Sequence, residues 1–288
     1  MKQLTDRILA AFERGTDEKK RYYLGCSSLG VECERQAWYQ YRHIVSPEGF
    51  SARMLKLFDH GHKEEARHAA AVRRAGLPLI GTQHAVSAFG NILRGHTDGF
   101  LYIDHALVKD VEVKDEWLLW EMKTSSGKYF RDMSAPLTKE GKPRVHGVQI
   151  KKPTHYAQMQ LYMGLTDYDV HRALYMMTCK DTDALYCEVV DFDEAVFTSL
   201  MERALRVIDG EMPERPYKNP EHYMCRFCDS ASICWGEEAP PIQCGSCINW
   251  MRGICGLSGI SVNQDNHCKD FEMRPALDQN RKDFIFWT

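Results

Sequence analysis

RGHTDGF (94–100) and WEMKT (120–124) are separated by nineteen residues and carry one acid, Asp98, followed by a Glu-x-Lys pair at Glu121 and Lys123. The pair lies in an apolar run typical of a strand, so both side chains are expected to leave the same face. An acid on one strand and Glu-x-Lys on the next can hold a divalent cation beside a phosphodiester. In a chain that is 27% charged, a surface ion pair is the alternative interpretation.

Composition places few limits on this interpretation. The 288 residues are 44% apolar and carry a net charge of -3, which suits a globular chain and excludes a uniformly basic coat but not a local basic groove. The first twenty residues lack the apolar core of a secretion signal, and no apolar run reaches the roughly 18 residues that span a bilayer. Eleven cysteines without such a signal indicate a reducing compartment. We therefore expect a cytoplasmic protein without a membrane segment.

Periodicity predicts a mixture of helices and short strands. Residues 51–75 form the clearest helix, with one apolar stripe interrupted by His62 and Glu65. A second helix begins at Pro153 and carries Gln158 and Tyr162 on one face. The remaining expected elements are helices at 3–14, 27–42 (capped by Ser27 or Ser28) and 193–209, strands in 79–89, 91–95, 99–104 and 116–123, and a hairpin over 171–190.

The acidic residues and the lysine divide the expected chemistry between them. Mg²⁺ and Mn²⁺ prefer hard oxygen ligands. We expect these from four residues, namely Glu65, Asp98, Glu121 and the backbone carbonyl of Met122. Lys123 is expected to orient or deprotonate the attacking water, or to stabilise charge in the transition state. Glu65 could instead pair with Arg53 or Arg67.

The order of these residues along the chain resembles the RecB-like branch of the PD-(D/E)XK nuclease superfamily, over about residues 26–235. The residues that carry the resemblance are Gly61 and Glu65, Gly95-His96-Thr97-Asp98-Gly99, Glu121-Met122-Lys123, and Gln158 with Tyr162. The resemblance implies an α/β fold with a central mixed sheet flanked by helices, and a metal-dependent DNA nuclease site at one edge. It also implies that Gln158 and Tyr162 lie by that site and help to place the substrate strand. Relatives commonly have His where this chain has Glu65, so His62 and His68 are alternative ligands.

Three cysteines form the group Cys225-x-x-Cys228-x5-Cys234, and a fourth ligand has to come from elsewhere. The segment CERQAW (33–38) resembles the C-x-R-x-x-W segment of RecB-like nucleases that carry an iron–sulfur cluster, including CRISPR-adaptation exonucleases and AddB-type helicase–nucleases. That resemblance implies that Cys33 completes a 4Fe–4S site. Zinc is the alternative metal, and Cys26 or His222 is the alternative ligand.

A second set, Cys244-x-x-Cys247-x7-Cys255-x12-Cys268, is self-contained and follows the linker-like EEAPP (237–241). Its spacing is typical of a structural zinc site, with His267 as a substitute ligand. We therefore expect a nuclease domain over 1–236 and a small metal-binding appendage over 237–288.

Residues 127–152 hold seven Lys/Arg against two acids. Such residues can contact phosphates without reading sequence, although a solvated loop is an equal alternative. The expected DNA-binding residues are Lys128, Arg131, Lys142, Arg144, Lys151 and Lys152.

Together these observations predict a metal-dependent exonuclease acting at DNA ends in recombination, repair or replication. A stand-alone, phage-type enzyme in a bacterial cell is the expected setting, with a recombination or replication protein as partner. A structure-specific endonuclease, a CRISPR-adaptation end trimmer and a non-catalytic iron–sulfur DNA-binding protein are the alternatives.

Overall fold

The computed structural model describes residues 2–15, 21–45, 51–104, 106, 115–135 and 146–278. The helices are α1 (Lys2–Gly15), α2 (Glu34–Tyr41), α3 (Ala52–Arg74), α4 (Gly127–Ser134), α5 (Val148–Lys151), α6 (Pro153–Leu165), α7 (Glu194–Asp209), α8 (Tyr223–Arg226) and α9 (Ala231–Cys234). The strands are β1 (Leu24–Gly25), β2 (Leu79–Ile80), β3 (His84–Ala88), β4 (Leu93–Thr97), β5 (Gly99–Ile103), β6 (Glu116–Ser125), β7 (Arg172–Cys179), β8 (Leu185–Asp191), β9 (Trp250–Met251) and β10 (Ile254–Cys255).

The chain divides into two compact units. The first contains residues 1–19, 49–88 and 94–197, and the second contains 20–48, 89–93 and 198–288. The boundary expected after residue 236 lies inside the second unit, and the division predicted from sequence stays a prediction. No helix in the described ranges is long and apolar enough to cross a membrane.

A five-stranded sheet with the order β2-β5-β6-β7-β8 forms the centre of the first unit. Strand β6 runs antiparallel to β5 and parallel to β7, and β7 runs antiparallel to β8. The predicted mixed sheet and the predicted hairpin over 171–190 are therefore confirmed. The run 79–89 is not one strand as expected, because Gly81 and Gln83 adopt positive φ angles of 58° and 59° and divide it into β2 and β3.

Helix α3 packs against this sheet, as its apolar stripe predicts. Ser51 caps its first turn by accepting a hydrogen bond from the Met54 N–H, and Gly76 at φ 81° follows its end. Its buried residues Ala69 and Val72 join a core cluster with Trp120 and Met122 of β6. Side chains alternate along a strand, so Glu121 lies on the opposite face of β6 from these two.

The second unit is built around α2 and the end of α7. Arg42 is buried, and its guanidinium donates hydrogen bonds to the carbonyls of Val207 (2.7 Å) and Ile208 (3.0 Å) in the last turn of α7. It also lies 4.1 Å from the ring centroid of Trp38. These contacts give partners to a buried guanidinium and to two carbonyl groups at the end of a helix. The expected helix over 27–42 begins later than predicted, at Glu34, with Cys33 rather than Ser27 or Ser28 at its N-cap; the serines lie in a separate 3-10 turn.

Candidate active site

Asp98 and the Glu-x-Lys pair meet at the junction of β4, β5 and β6. Asp98 lies between β4 and β5, and its Oδ2 accepts a hydrogen bond from the Met122 N–H at 2.7 Å. The next residue has to be small, because a Cβ on Gly99 would lie 2.9 Å from the Leu79 side chain and 3.1 Å from the Ile80 carbonyl oxygen. The strands predicted from sequence thus place Asp98 beside Glu121.

Glu121 is the most constrained group of the site. Its side chain is 0% exposed, and Lys123 forms an ion pair with its Oε1. Its Oε2 has no hydrogen-bond partner among the described residues. Asp98, a second acid, acts electrostatically on Glu121, so the two carboxylates share the charge of Lys123. Two buried acids beside one cation are unfavourable unless a further cation binds. The pair is therefore not the surface ion pair considered as the alternative from sequence, because Glu121 is fully buried although 24% of the Lys123 side chain is exposed.

The electrostatics of the cluster follow from this burial. Burial raises the pKa of Glu121 to about 8, the charge of Asp98 adds to that effect, and Lys123 opposes it. Burial also raises the pKa of Asp98, against the charge of Lys123 and the Met122 N–H. For Lys123, burial disfavours the ammonium, but Glu121 and Asp98 outweigh burial and raise its pKa to about 12. The cluster therefore has acids that are short of positive charge and a lysine that keeps its proton.

Glu65 of α3 faces the same cluster. It is half-buried, and its Oε1 accepts a hydrogen bond from Gln83 Nε2 at 2.9 Å. Burial and then the charge of Asp98 raise the pKa of Glu65, whereas Lys123 and His62 lower it. The pKa of Glu65 thus depends on the charges of the predicted site.

The structure distinguishes among the alternative partner of Glu65 and the alternative metal ligands considered from sequence. Arg67 pairs with Glu64 at 3.2 Å. His68 Nδ1 lies 2.8 Å from the Glu64 carbonyl oxygen of its own helix. His62 acts electrostatically on both Asp98 and Glu65. Of the two alternative histidines, His62 is therefore the one that lies near the carboxylates.

Gln158 and Tyr162 lie on one face of α6, as predicted. Gln158 Nε2 donates a hydrogen bond to the Tyr162 hydroxyl at 2.9 Å, and both side chains are buried. The pair is thus held as a unit on a helix that packs against β6. Its contact with a substrate strand stays a prediction.

A second pair next to the site, a half-buried histidine and a buried tyrosine, is not indicated by the sequence motifs. His155 Nδ1 lies 2.9 Å from the Tyr175 hydroxyl, and Tyr175 is the register partner of Glu121 across the parallel β6–β7 pairing. Burial, followed by the charges of Lys123 and Lys152, lowers the pKa of His155 to about 3. The available signal was its spacing, because His155 precedes Gln158 by three residues and so shares its helix face.

As placed, no group of three His, Cys, Asp or Glu side chains in the described ranges is close enough to hold a metal ion. The donor set nevertheless suits Mg²⁺ or Mn²⁺, because it consists of the carboxylates of Glu65, Asp98 and Glu121. The group of Met122 that contacts Asp98 is its N–H, and its carbonyl as a ligand stays a prediction.

The described part of the basic insert is partly helical. Lys128 and Arg131 lie exposed on α4, and Lys152, at the N-cap of α6, lies 4.5 Å from the ring centroid of the exposed Tyr129. Lys151 ends α5 and is exposed. The predicted contacts Lys142 and Arg144 lie outside the described residues.

The first cysteine group converges on one pocket of the second unit. Cys33, Cys225, Cys228 and Cys234 all line it. Burial raises the pKa of Cys228 to about 11, and the charges of Cys234 and Cys33 add to that effect. The first and last of these cysteines, Cys33 and Cys234, are 201 residues apart in the sequence (234 minus 33). The structure places all four thiols around one pocket.

Neither alternative fourth ligand is among the described residues lining this pocket. Cys26 is buried elsewhere, and burial raises its pKa to about 12. The His222 ring stacks on Tyr217 with centroids 3.8 Å apart. Arg35 and Arg215 line the pocket instead, and Arg215 donates to the Cys234 carbonyl at 2.6 Å.

The second cysteine group lies wholly in the C-terminal part of the same unit. Cys244 begins a 3-10 turn and Cys247 follows it, Cys255 ends β10, and Cys268 is in an exposed loop.

Comparison with known proteins gives only distant likenesses. No family model matches the chain, and no curated protein gives a significant match. Solved structures that resemble it include SSO0001, at 15% identity and a TM-score of 0.42 over 80% of this chain and 96% of that one. An alkaline exonuclease from Laribacter hongkongensis matches at 13% and 0.41, over 65% and 87% of the two chains. A phage-related exonuclease from Haemophilus somnus matches at 15% and 0.37, over 64% and 91%. At these TM-scores the likenesses establish no shared fold, so the site's own geometry has to carry any functional inference.

Proposed function

We propose that this chain is a metal-dependent deoxyribonuclease of the RecB-like PD-(D/E)XK type that hydrolyses phosphodiester bonds at DNA ends. One observation carries the proposal. Glu121 is fully buried beside a second buried acid, Asp98, and Lys123 supplies one positive charge to the two carboxylates. Burying two acids with one cation is unfavourable unless a further cation binds between them.

Each side chain has a distinct role in this proposal. Asp98 and Glu121 would hold the divalent ion, with Glu65 as a further carboxylate. When bound, the ion would supply Lewis acidity toward a phosphate oxygen and an activated water. Lys123 keeps its proton at neutral pH because its pKa is about 12. It is therefore better suited to orient the water and to stabilise phosphorane-like negative charge than to accept a proton.

The proposed preference for DNA ends rests on the resemblance to RecB-like exonucleases. Gln158 and Tyr162 would place the substrate strand. The exposed lysines and arginine next to the site would contact phosphates without reading bases. A role in recombination, repair or replication, with a partner protein of one of those processes, is part of the proposal.

Activity is tested with end-labelled single- and double-stranded oligonucleotides and closed circular DNA, in Mg²⁺ or Mn²⁺. Glu121→Ala and Lys123→Ala are expected to lower the rate by at least about 100-fold, because each removes a group that acts on the reacting phosphate. Glu65→Ala should also lower the rate, because it removes a carboxylate proposed to hold the ion. Glu64→Ala is its matched control, since Glu64 lies on the same helix but pairs with Arg67. Variants at Glu121 and Lys123 that digest DNA as fast as the wild type would show that the site is wrongly assigned. Cleavage of closed circles would indicate an endonuclease instead.

We further propose that Cys33, Cys225, Cys228 and Cys234 hold a 4Fe–4S cluster, with zinc as the alternative. Two observations support it: the four thiols line one pocket, and Arg35 and Arg215 line it with them. Guanidinium groups favour an anionic cluster of thiolates. The purified chain should be brown and contain about four iron atoms. A colourless wild type with one zinc in this group would overturn the iron assignment.

A further inference from the structure

The C-terminal part of the second unit, residues 242–278, has a very small apolar core. Its buried apolar side chains are Cys247, Trp250 and Leu277. Six further large aliphatic side chains are 42–68% exposed, namely Ile242, Ile248, Met251, Ile254, Leu257 and Ile260, whereas Val262 and Met273 are partly buried. Leu277 and the partly buried Met273 pack against Trp38, Tyr39 and Ile44 of the same unit, but little else that is apolar in these 37 residues is buried. This burial offsets only part of the roughly 1–2 kcal/mol of backbone entropy that each residue loses on folding, so a further source of order is needed.

Backbone hydrogen bonds bring Cys244 and Cys247 next to the segment that precedes Cys268. The Cys247 N–H donates to the Cys244 carbonyl at 2.9 Å and closes a tight turn. The Cys244 N–H donates to the Asn266 carbonyl at 2.6 Å, so Cys268 follows two residues after a direct contact with Cys244. These hydrogen bonds place Cys244 and Cys247 in one turn, next to the segment that leads to Cys268.

The fourth cysteine lies in a hairpin. Strands β9 and β10 pair Cys255 with Trp250, three residues beyond Cys247. The Gly259 N–H donates to the Cys255 carbonyl at 2.8 Å and closes a second tight turn, after Cys255. The backbone thus places Cys255 in a hairpin whose other strand begins three residues after Cys247. As placed, the four side chains are not close enough together to hold a metal ion, so binding requires that they draw together.

The thiols respond electrostatically to one another. Cys247, Cys255 and Cys268 all lie near enough to Cys244 to act on its thiol by charge. The Ser258 hydroxyl and the Ser258 and Leu257 N–H groups donate hydrogen bonds to the Cys255 sulfur. Repulsion among thiolates favours a cation between them, and N–H donors to sulfur favour the thiolate that such a cation requires.

We propose that Cys244, Cys247, Cys255 and Cys268 bind one Zn²⁺ as a closed structural site, and that the ion supplies the order that the apolar core lacks. The four sulfurs would draw in to about 2.3 Å from the metal in a tetrahedral set. Four protein ligands leave no position for a reacting water, so the site stabilises the fold and does no chemistry. This site is separate from the carboxylate cluster and does not depend on the proposed nuclease activity.

The test is metal analysis of the full chain purified without chelator. Cys247→Ser and Cys255→Ser should each lose one zinc per chain relative to the wild type, whereas the iron content should not change. Cys187→Ser is the matched control, because Cys187 is an exposed cysteine on β8 of the other unit. His267→Ala should keep the zinc. If it loses one zinc and Cys268→Ser keeps it, His267 is the ligand and the assignment of Cys268 is overturned.

A measurement on the wild type keeps the test decisive if the variants do not fold. Titration with an organomercurial should release one zinc on modification of these four thiols, and chelation should make residues 242–278 cleavable by protease. Three results would overturn the proposal: a wild type without zinc, zinc contents unchanged in both serine variants, or an intact mass lower by two hydrogens per cysteine pair, which would show disulfides.

Discussion

Replacing Glu121 by Gln should stabilise the metal-free protein, although it removes a charged residue from the centre of the proposed site. Glu121 has an ordinary pKa of 4.5, and burial in the folded chain raises it to about 8. At pH 7 the unfolded chain therefore carries an ionised carboxylate that folding must protonate. The difference corresponds to roughly 3 kcal/mol of lost stability at pH 7.

Glutamine has nearly the same shape and carries no charge, so it avoids this loss. Its amide still lacks partners, which offsets about 1 kcal/mol. The expected net gain is about 2 kcal/mol, or a rise of roughly 5 °C in the unfolding midpoint. The direction of the pH dependence follows from the raised pKa. When the pKa of an acid is higher in the folded state, the protein loses stability as the pH rises from 4.5 toward 8. The gain from Gln should therefore disappear near pH 4.5 and be largest above pH 8.

The assay is thermal unfolding followed by circular dichroism in EDTA at several pH values, with Glu64→Gln as the control. Adding Mg²⁺ should then raise the midpoint of the wild type more than that of Glu121→Gln, because binding to the folded state alone stabilises it. A Glu121→Gln protein that unfolds at a lower temperature than the wild type in EDTA at pH 7 would refute the reasoning. It would mean that the buried carboxylate is already well compensated without a metal.

Three further outcomes are expected. Cys228→Ser should lose the brown colour and most of the iron, measured by absorbance and metal analysis, and a fully coloured variant would contradict the ligand assignment. Gly245→Ala should lower stability toward urea by about 3 kcal/mol, since its Cβ would lie 1.9 Å from the Arg42 carbonyl oxygen; Gly61→Ala, where nothing lies within 4 Å, should instead be neutral or slightly stabilising. Lys128→Ala and Lys152→Ala should each weaken DNA binding and reduce the slope of log affinity against log salt by about 1, and an unchanged slope would exclude a phosphate contact.

Local patterns were sufficient to predict the parts of the site that depend on strand and helix periodicity. Glu121 and Lys123 share a face because the side-chain period of a strand is 2. Gln158 and Tyr162 share one because residues four apart are neighbours on a helix. What periodicity could not provide was burial. The sequence left a surface ion pair open, and only the packing of the sheet shows that Glu121 is inaccessible to water.

The missed features have a different cause, because they depend on pairing between distant elements. Tyr175 lies opposite Glu121 only through the parallel β6–β7 register, and a parallel register is not written in either strand alone. The late start of α2 was missed for a local reason. Ser27 and Ser28 are good capping residues, but the chain uses them in a separate 3-10 turn and begins the helix after Cys33.

The charge of the first unit's site gives the strongest physical argument about its purpose. Glu65, Asp98 and Glu121 would carry three negative charges if ionised, and Lys123 supplies one positive charge, which leaves −2 (−3 + 1) in a largely buried cluster. A purely structural cluster would be improved by replacing two acids with apolar residues. A divalent cation brings the same cluster to neutrality. Burial raises the pKa of all three acids, and repulsion from neighbouring acids adds to the effect for Glu65 and Glu121. A divalent cation bound between the carboxylates favours their ionised forms, so titration of metal into the folded chain should lower all three pKa values together.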